Sequence, residues 1–144
     1  MKKYFLLTTA LSIAFFIQAQ QYETAKKLAG LTSYKKAKEE VDKGMINAEY
    51  AAKPEAHILK ALIYASLAID SKPAGNDEAV KLLFDADAAY RKYKEMDPAL
   101  TLVTDITYQT GVLNLYSAYY TFGYNDYTAK KWDAAFEKFK KAAE

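Results

Sequence analysis

Apolar residues recur every three or four positions through nearly all of the chain after residue 21, the spacing that builds a stripe along one side of an α-helix. Tyr22–Ala29 begins this pattern, and Gly30–Ser33 interrupts it with a glycine and two N-cap hydroxyls. A second helix is expected to carry Tyr34, Ala37, Val41, Met45 and Ala48 on one narrow face, weakened inside by Gly44 by on the order of 1 kcal/mol. Pro54 and Glu55 mark the next start, since proline suits the first helical turn and an acid there complements the helix dipole. Ile58–Ile69 is apolar almost all round and is expected to be the most buried helix. Asp70–Asp77 reads as a loop that delivers Asn76 or Asp77 as an N-cap. A long helix then runs to Asp97-Pro98, where the residue before proline resists the helical region. Helical spacing resumes near Leu102 and continues past Tyr120, although the β-branched Thr101–Tyr108 is the one place where a strand competes. The terminal run predicts a last helix, with Trp132, Ala135, Phe136, Phe139, Ala142 and Ala143 on one stripe. The predicted fold class is all-α, with neighbouring helices joined by short turns and therefore antiparallel.

The first 20 residues do not fit this scheme. Lys2 and Lys3 precede 14 uncharged, mostly apolar residues, Tyr4–Ile17, and a polar exit containing Ala19. That layout predicts a cleaved secretory signal over residues 1–20, cut after Ala19 or alternatively after Gln20. The apolar core is shorter than the roughly 20 residues of a membrane span. Without Lys2 and Lys3 the chain has 18 basic and 18 acidic residues. This neutrality predicts no broad footprint for nucleic acid or an acidic membrane. The absence of cysteine removes disulfides, thiolate metal sites, cysteine nucleophiles and lipoprotein modification.

Two stretches are similar to one another and resemble the tetratricopeptide repeat, a pair of antiparallel helices with the pattern W-x2-L-G-x2-Y, then A-x3-F, then P. In the last, Tyr119 stands at the large aromatic, Phe122 at the leucine and Gly123 at the small residue; Ala135, Phe139 and Ala142 follow in the second helix, with Trp132 three before Ala135. Asp126 departs from the pattern where tyrosine is usual, and Tyr127 is taken as its substitute. An earlier copy has His57 at the aromatic, Ala61 at the small residue and Tyr64 three later, then Ala79, Leu83 and Ala86, with Lys60 departing where leucine is usual. The resemblance implies repeat units over 54–98 and 99–144, preceded by N-terminal helices over 21–53 that include a degenerate half repeat. It implies a short α-solenoid of the exported bacterial type, which presents a groove to proteins or peptides and has no catalytic residues. Repeat arrays usually close with a polar capping helix, and Lys130–Glu144 is not one. Either the natural protein continues beyond it, or this helix docks a partner or a second copy.

The composition offers little other chemistry. His57 is the only histidine, which is incompatible with a multi-histidine metal site and leaves a packing role as the better reading. No glycine-rich phosphate loop occurs, Asp85 and Asp87 point apart on a helix, and the aspartates do not match a calcium loop. No cofactor or metal is expected. The 13 tyrosines are the one unusual feature. Most fit an inter-helix packing role, while Tyr120 and Tyr124 fall off the main packing positions and are the candidate ligand-facing residues. The sequence thus predicts a non-enzymatic protein-binding scaffold. Two other readings stay open: a glycan- or small-ligand-binding module using the tyrosines, and the N-terminal part of a larger envelope protein with its activity elsewhere.

Overall fold

A computed structural model describes residues 22–72 and 75–144; the expected signal segment lies outside the described residues. The described residues are helical with no strand: α1 (residues 22–30), α2 (Tyr34–Met45), α3 (Ala48–Ala51), α4 (Pro54–Asp70), α5 (Asp77–Met96), α6 (Ile106–Thr128) and α7 (Trp132–Ala143), with one 3-10 turn over Thr101–Thr104.

Burial of α4 organises the rest. Its residues Ile58, Leu59, Ala61, Leu62, Ile63, Tyr64, Ala65 and Ala68 are all buried, so neighbours must stand on several sides. α5 packs along it, running back antiparallel: Asp70 and Asp77 adjoin across the connection, and Lys92 lies close enough to His57 to disfavour its protonation. α6 lies along another side and runs parallel to α4. Tyr108 donates to Glu55 at 2.6 Å, Gly111 sits against Leu62, and Asn114 donates to Ser66 at 2.9 Å, so the two helices advance together. α2 covers a third side, with Tyr64 donating to Asp42. α7 folds back antiparallel onto α6.

Two details differ from the sequence reading, and a third decides a choice it left open. The second helix breaks after Met45, and Asn47 caps the short α3 by accepting from the amides of Glu49 and Tyr50. Gly44 is therefore no interior weakness: the Tyr50 ring fills the space where a Cβ would stand, 2.5 Å away. Tyr50 also stacks on Tyr22 with centroids 4.2 Å apart, and the Tyr22 hydroxyl donates to its carbonyl, tying α1 to α3. Second, Thr101–Tyr108 is neither strand nor the start of the α-helix at Leu102. Asp97 Oδ2 accepts from the Thr101 amide and hydroxyl, each at 2.8 Å, and from Tyr93 at 2.9 Å. These bonds wind a 3-10 turn, and α6 begins only at Ile106, capped by Asp105. Third, of the two N-cap choices for α5, Asn76 is the cap, accepting from the Ala79 amide.

Both turns flanking the outer helices end in left-handed residues that are not glycine. Thr32 has φ 54° and Lys130 φ 60°, each closing its helix with paired backbone bonds that reach back three and five residues.

α6 approaches the backbone of α4 closely at Gly111. A Cβ on Gly111 would lie 2.6 Å from Leu62 Cβ and 2.7 Å from its Cα, where only a backbone shift makes room. Gly111→Ala is expected to destabilise by about 1–3 kcal/mol, despite alanine's better helix propensity, measured by urea unfolding. Burial opposes ionisation of Asp97, but bonds from Thr101 and Tyr93 outweigh it and hold its carboxyl below the usual range. A bond from Lys26 does the same for Asp105. An unfolded aspartate returns to about 3.9. The stabilisation is therefore complete above that value and lost as pH falls through the lower folded values. The thermal midpoint should hold from neutrality to about pH 4 and drop below it. Asp97→Asn should lower the midpoint at pH 7 and flatten that drop.

Candidate functional site

α6 carries no charged residue from Ile106 to Asn125. One side of it is consumed by packing: Tyr108, Gly111, Leu115, Ala118, Tyr119, Phe122 and Gly123 are buried. The opposite side exposes Ile106, Leu113, Tyr120 and Tyr127 at seven-residue intervals, with Tyr124 beside the last two. Seven residues bring the side chain back to nearly the same azimuth, so these form one stripe.

α7 extends this stripe sideways. Tyr120 packs against Phe139 with ring centroids 5.6 Å apart, and Tyr127 meets Trp132 edge-on at 5.2 Å. The two contacts fix the antiparallel register, which sets Tyr124 and Phe136 between them. Phe139 also lies over Gly123, where a Cβ would come 3.1 Å from the ring, so the missing side chain lets the two helices close. Lys138 pairs with Asp126 beneath this layer, both only 17% exposed. The result is one face of six aromatic rings on two helices. Tyr120, Tyr124, Tyr127, Trp132 and Phe136 are each more than half exposed, Phe136 most at 65%. Isolated apolar residues at a surface are unremarkable, whereas a contiguous patch of this kind marks an interaction surface.

The positions taken from the repeat pattern divide between interior and face. Ala61, Tyr64, Ala79, Leu83 and Ala86 are buried around α4 and α5, and Tyr119, Phe122, Gly123 and Ala135 are buried between α6 and its neighbours. His57 is half-buried; because a carbonyl only accepts, its Nε2 carries the hydrogen donated to Ala51 at 2.9 Å. Burial lowers the His57 pKa. Phe139 and Ala142 are partly covered, whereas Tyr127 and Trp132 lie exposed against each other at the α6–α7 turn. Tyr120 and Tyr124 stand on the aromatic face. Phe136, Ile106 and Leu113 were not singled out as surface residues from the sequence, though the 106-113-120-127 interval was there to be counted.

Apart from this face, a hollow of about 210 Å³ lies between α5, α6 and the end of α7 and is lined by Asp87, Tyr90, Arg91, Tyr116, Tyr119 and Lys141 among others. It is smaller than usual small-molecule sites. Arg91 pairs with Asp87 and Lys141 with Glu144, while Lys94 lies over the Tyr90 ring. Burial pushes Tyr90 up to about 12 and raises Tyr119 as well; like ordinary tyrosines, both offer hydroxyls at neutral pH. Among the described residues no cluster of three or more histidine and carboxylate groups could hold a metal, and no helix is long and apolar enough to cross a membrane. No family model, curated protein or solved structure matches the chain.

Because Phe136 faces outward and Phe122 inward, the two separate surface from core. Phe136→Lys should leave the unfolding free energy within about 0.5 kcal/mol of the parent at high dilution. Phe122→Ala should cost about 3–5 kcal/mol in the same measurement.

Proposed function

We propose that the protein is a non-enzymatic, exported interaction module of the tetratricopeptide type, which binds a protein through the aromatic face of α6 and α7. The observation that carries this reading is the face itself: five rings on two adjoining helices, each left more than half in water. Rigid aromatic rings ordered by neighbours lose little freedom on binding and dominate protein interfaces. The two antiparallel hairpins, α4–α5 and α6–α7, with their first helices side by side, support the repeat reading. Export rests on the N-terminal pattern of charge and hydrophobicity. The glycan reading draws on the same uncharged, hydroxyl-rich α6 surface, but the phenylalanine and tryptophan of α7 favour an apolar partner.

A photo-crosslinking residue placed at Phe136 or Tyr124 in the producing cell should give discrete protein adducts, and one at the exposed Lys81 on α5 should not. Equal yields at all three, or none at the first two, would count against the reading. Trp132, the single tryptophan, reports on the same face. Its emission should ignore neutral oligosaccharides; a saturable blue shift with them would move the assignment to a sugar-binding module.

A further inference from the structure

We infer that the occupant of the aromatic face is a second copy of this chain, docked with its α7 antiparallel to the first about a two-fold axis at Phe136. This rests on reading the face as an interaction surface and names what covers it. An interface between identical chains must be complementary to itself, residue i meeting j on the partner while j meets i. The α7 helix meets that condition. Asp133 and Lys140 are both exposed and lie seven residues apart, hence on the same edge of the stripe, three residues before Phe136 and four after it. Turned about an axis perpendicular to the helix at Phe136, each edge meets its own counterpart reversed. Asp133 then faces the second copy's Lys140, and Lys140 its Asp133, so two ion pairs flank a central Phe136–Phe136 contact. On the other edge stands α6, whose uncharged run from Ile106 to Asn125 lets two copies approach with no charge to desolvate there.

The exposed area is of the right size. A large aromatic side chain buries about 150–250 Å² when fully covered. Five that are just over half exposed therefore leave roughly 400–700 Å² per protomer, half or more of the about 800 Å² that each partner contributes to a standard interface.

The test is light scattering after size-exclusion chromatography, over a concentration series of the full chain as the cell exports it. The expected result is a concentration-dependent dimer that Phe136→Lys abolishes. Asp133→Lys alone and Lys140→Asp alone should each weaken association roughly tenfold, since each sets like charges opposite one another twice. The double exchange should restore it. Within one helix these two residues are too far apart to interact, so rescue reports contact between chains. A monomer at every concentration, a dimer indifferent to Phe136→Lys, or single reversals that the double exchange does not rescue would each overturn the inference. Such a failure is distinguishable from failure of the functional reading. Adducts with a different protein from Phe136 and Tyr124 would leave the face as a binding surface and remove only the second copy, whereas the absence of any adduct would remove both.

Discussion

A helix that is apolar nearly all the way round persists in water only if something stands against each of its sides, and α4 imposes that condition on the chain. Its burial requires three neighbours, supplied by α2, α5 and α6. α6 comes alongside in the same direction as α4, so the chain must first travel back the full length of α5 and turn. Asp97 makes that turn by gathering Tyr93 and Thr101 on one carboxylate oxygen, and the cost of burying its charge is offset because those donors are already in place. Gly111 then lets α6 approach until Leu62 nearly touches its backbone. The small residue and the acidic corner serve one requirement, the covering of α4.

Covering is thinner at α7. α6 has α4 on one side and α7 on another, whereas α7 leans on α6, and its only deeply buried residue is Ala135. Its apolar stripe is wider than one neighbour can hide. Phe139 and Ala142 are partly taken in, and Trp132 and Phe136 remain outside. Covering some 400–700 Å² of such surface on each of two copies yields roughly 20–35 kcal/mol at about 25 cal/mol per Å². The freedom lost on joining two chains and ordering their side chains takes back much of that. Small changes such as the sign of two rim charges shift the balance that remains.

How far the sequence revealed this depends on what kind of signal each feature leaves. The ends of α4 and α5 were legible because Pro54 and Asp97-Pro98 act within one turn of the chain. The break between α2 and α3 was not, since Met45 and Ala48 continue the apolar spacing and the Asn47 cap interrupts it only because Tyr50 finds room under Gly44. The start of α6 was misplaced for a similar reason: Leu102 fits the stripe, but Asp97 claims the amides around it. Gly44 reads as a weakness in isolation and as a seat for a ring once its neighbour is known. Tyr120 and Tyr124 could be found from the chain alone, because lying off a packing stripe is a property of spacing. The exposure of Trp132 and Tyr127 could not, because periodicity says which residues share a side and nothing about how many helices stand there.

That last point bears on what the repeat pattern can mean for function. In a stacked array, the aromatic at the start of a second helix and the rings beside it are packing residues because another unit follows. Trp132, Phe136 and the three tyrosines of α6 have the composition and order of such a seam, yet here they face water. Burial between repeats and burial against another molecule draw on the same apolar contact, and a rigid patterned face does not distinguish them energetically. What distinguishes them is the rim. A covalently following helix is held in register by its connection and needs no charge code, whereas a separate molecule must be oriented by complementary groups at the edge. Asp133 and Lys140, of opposite sign and balanced about Phe136, would supply that orientation to a separate molecule docked on this face.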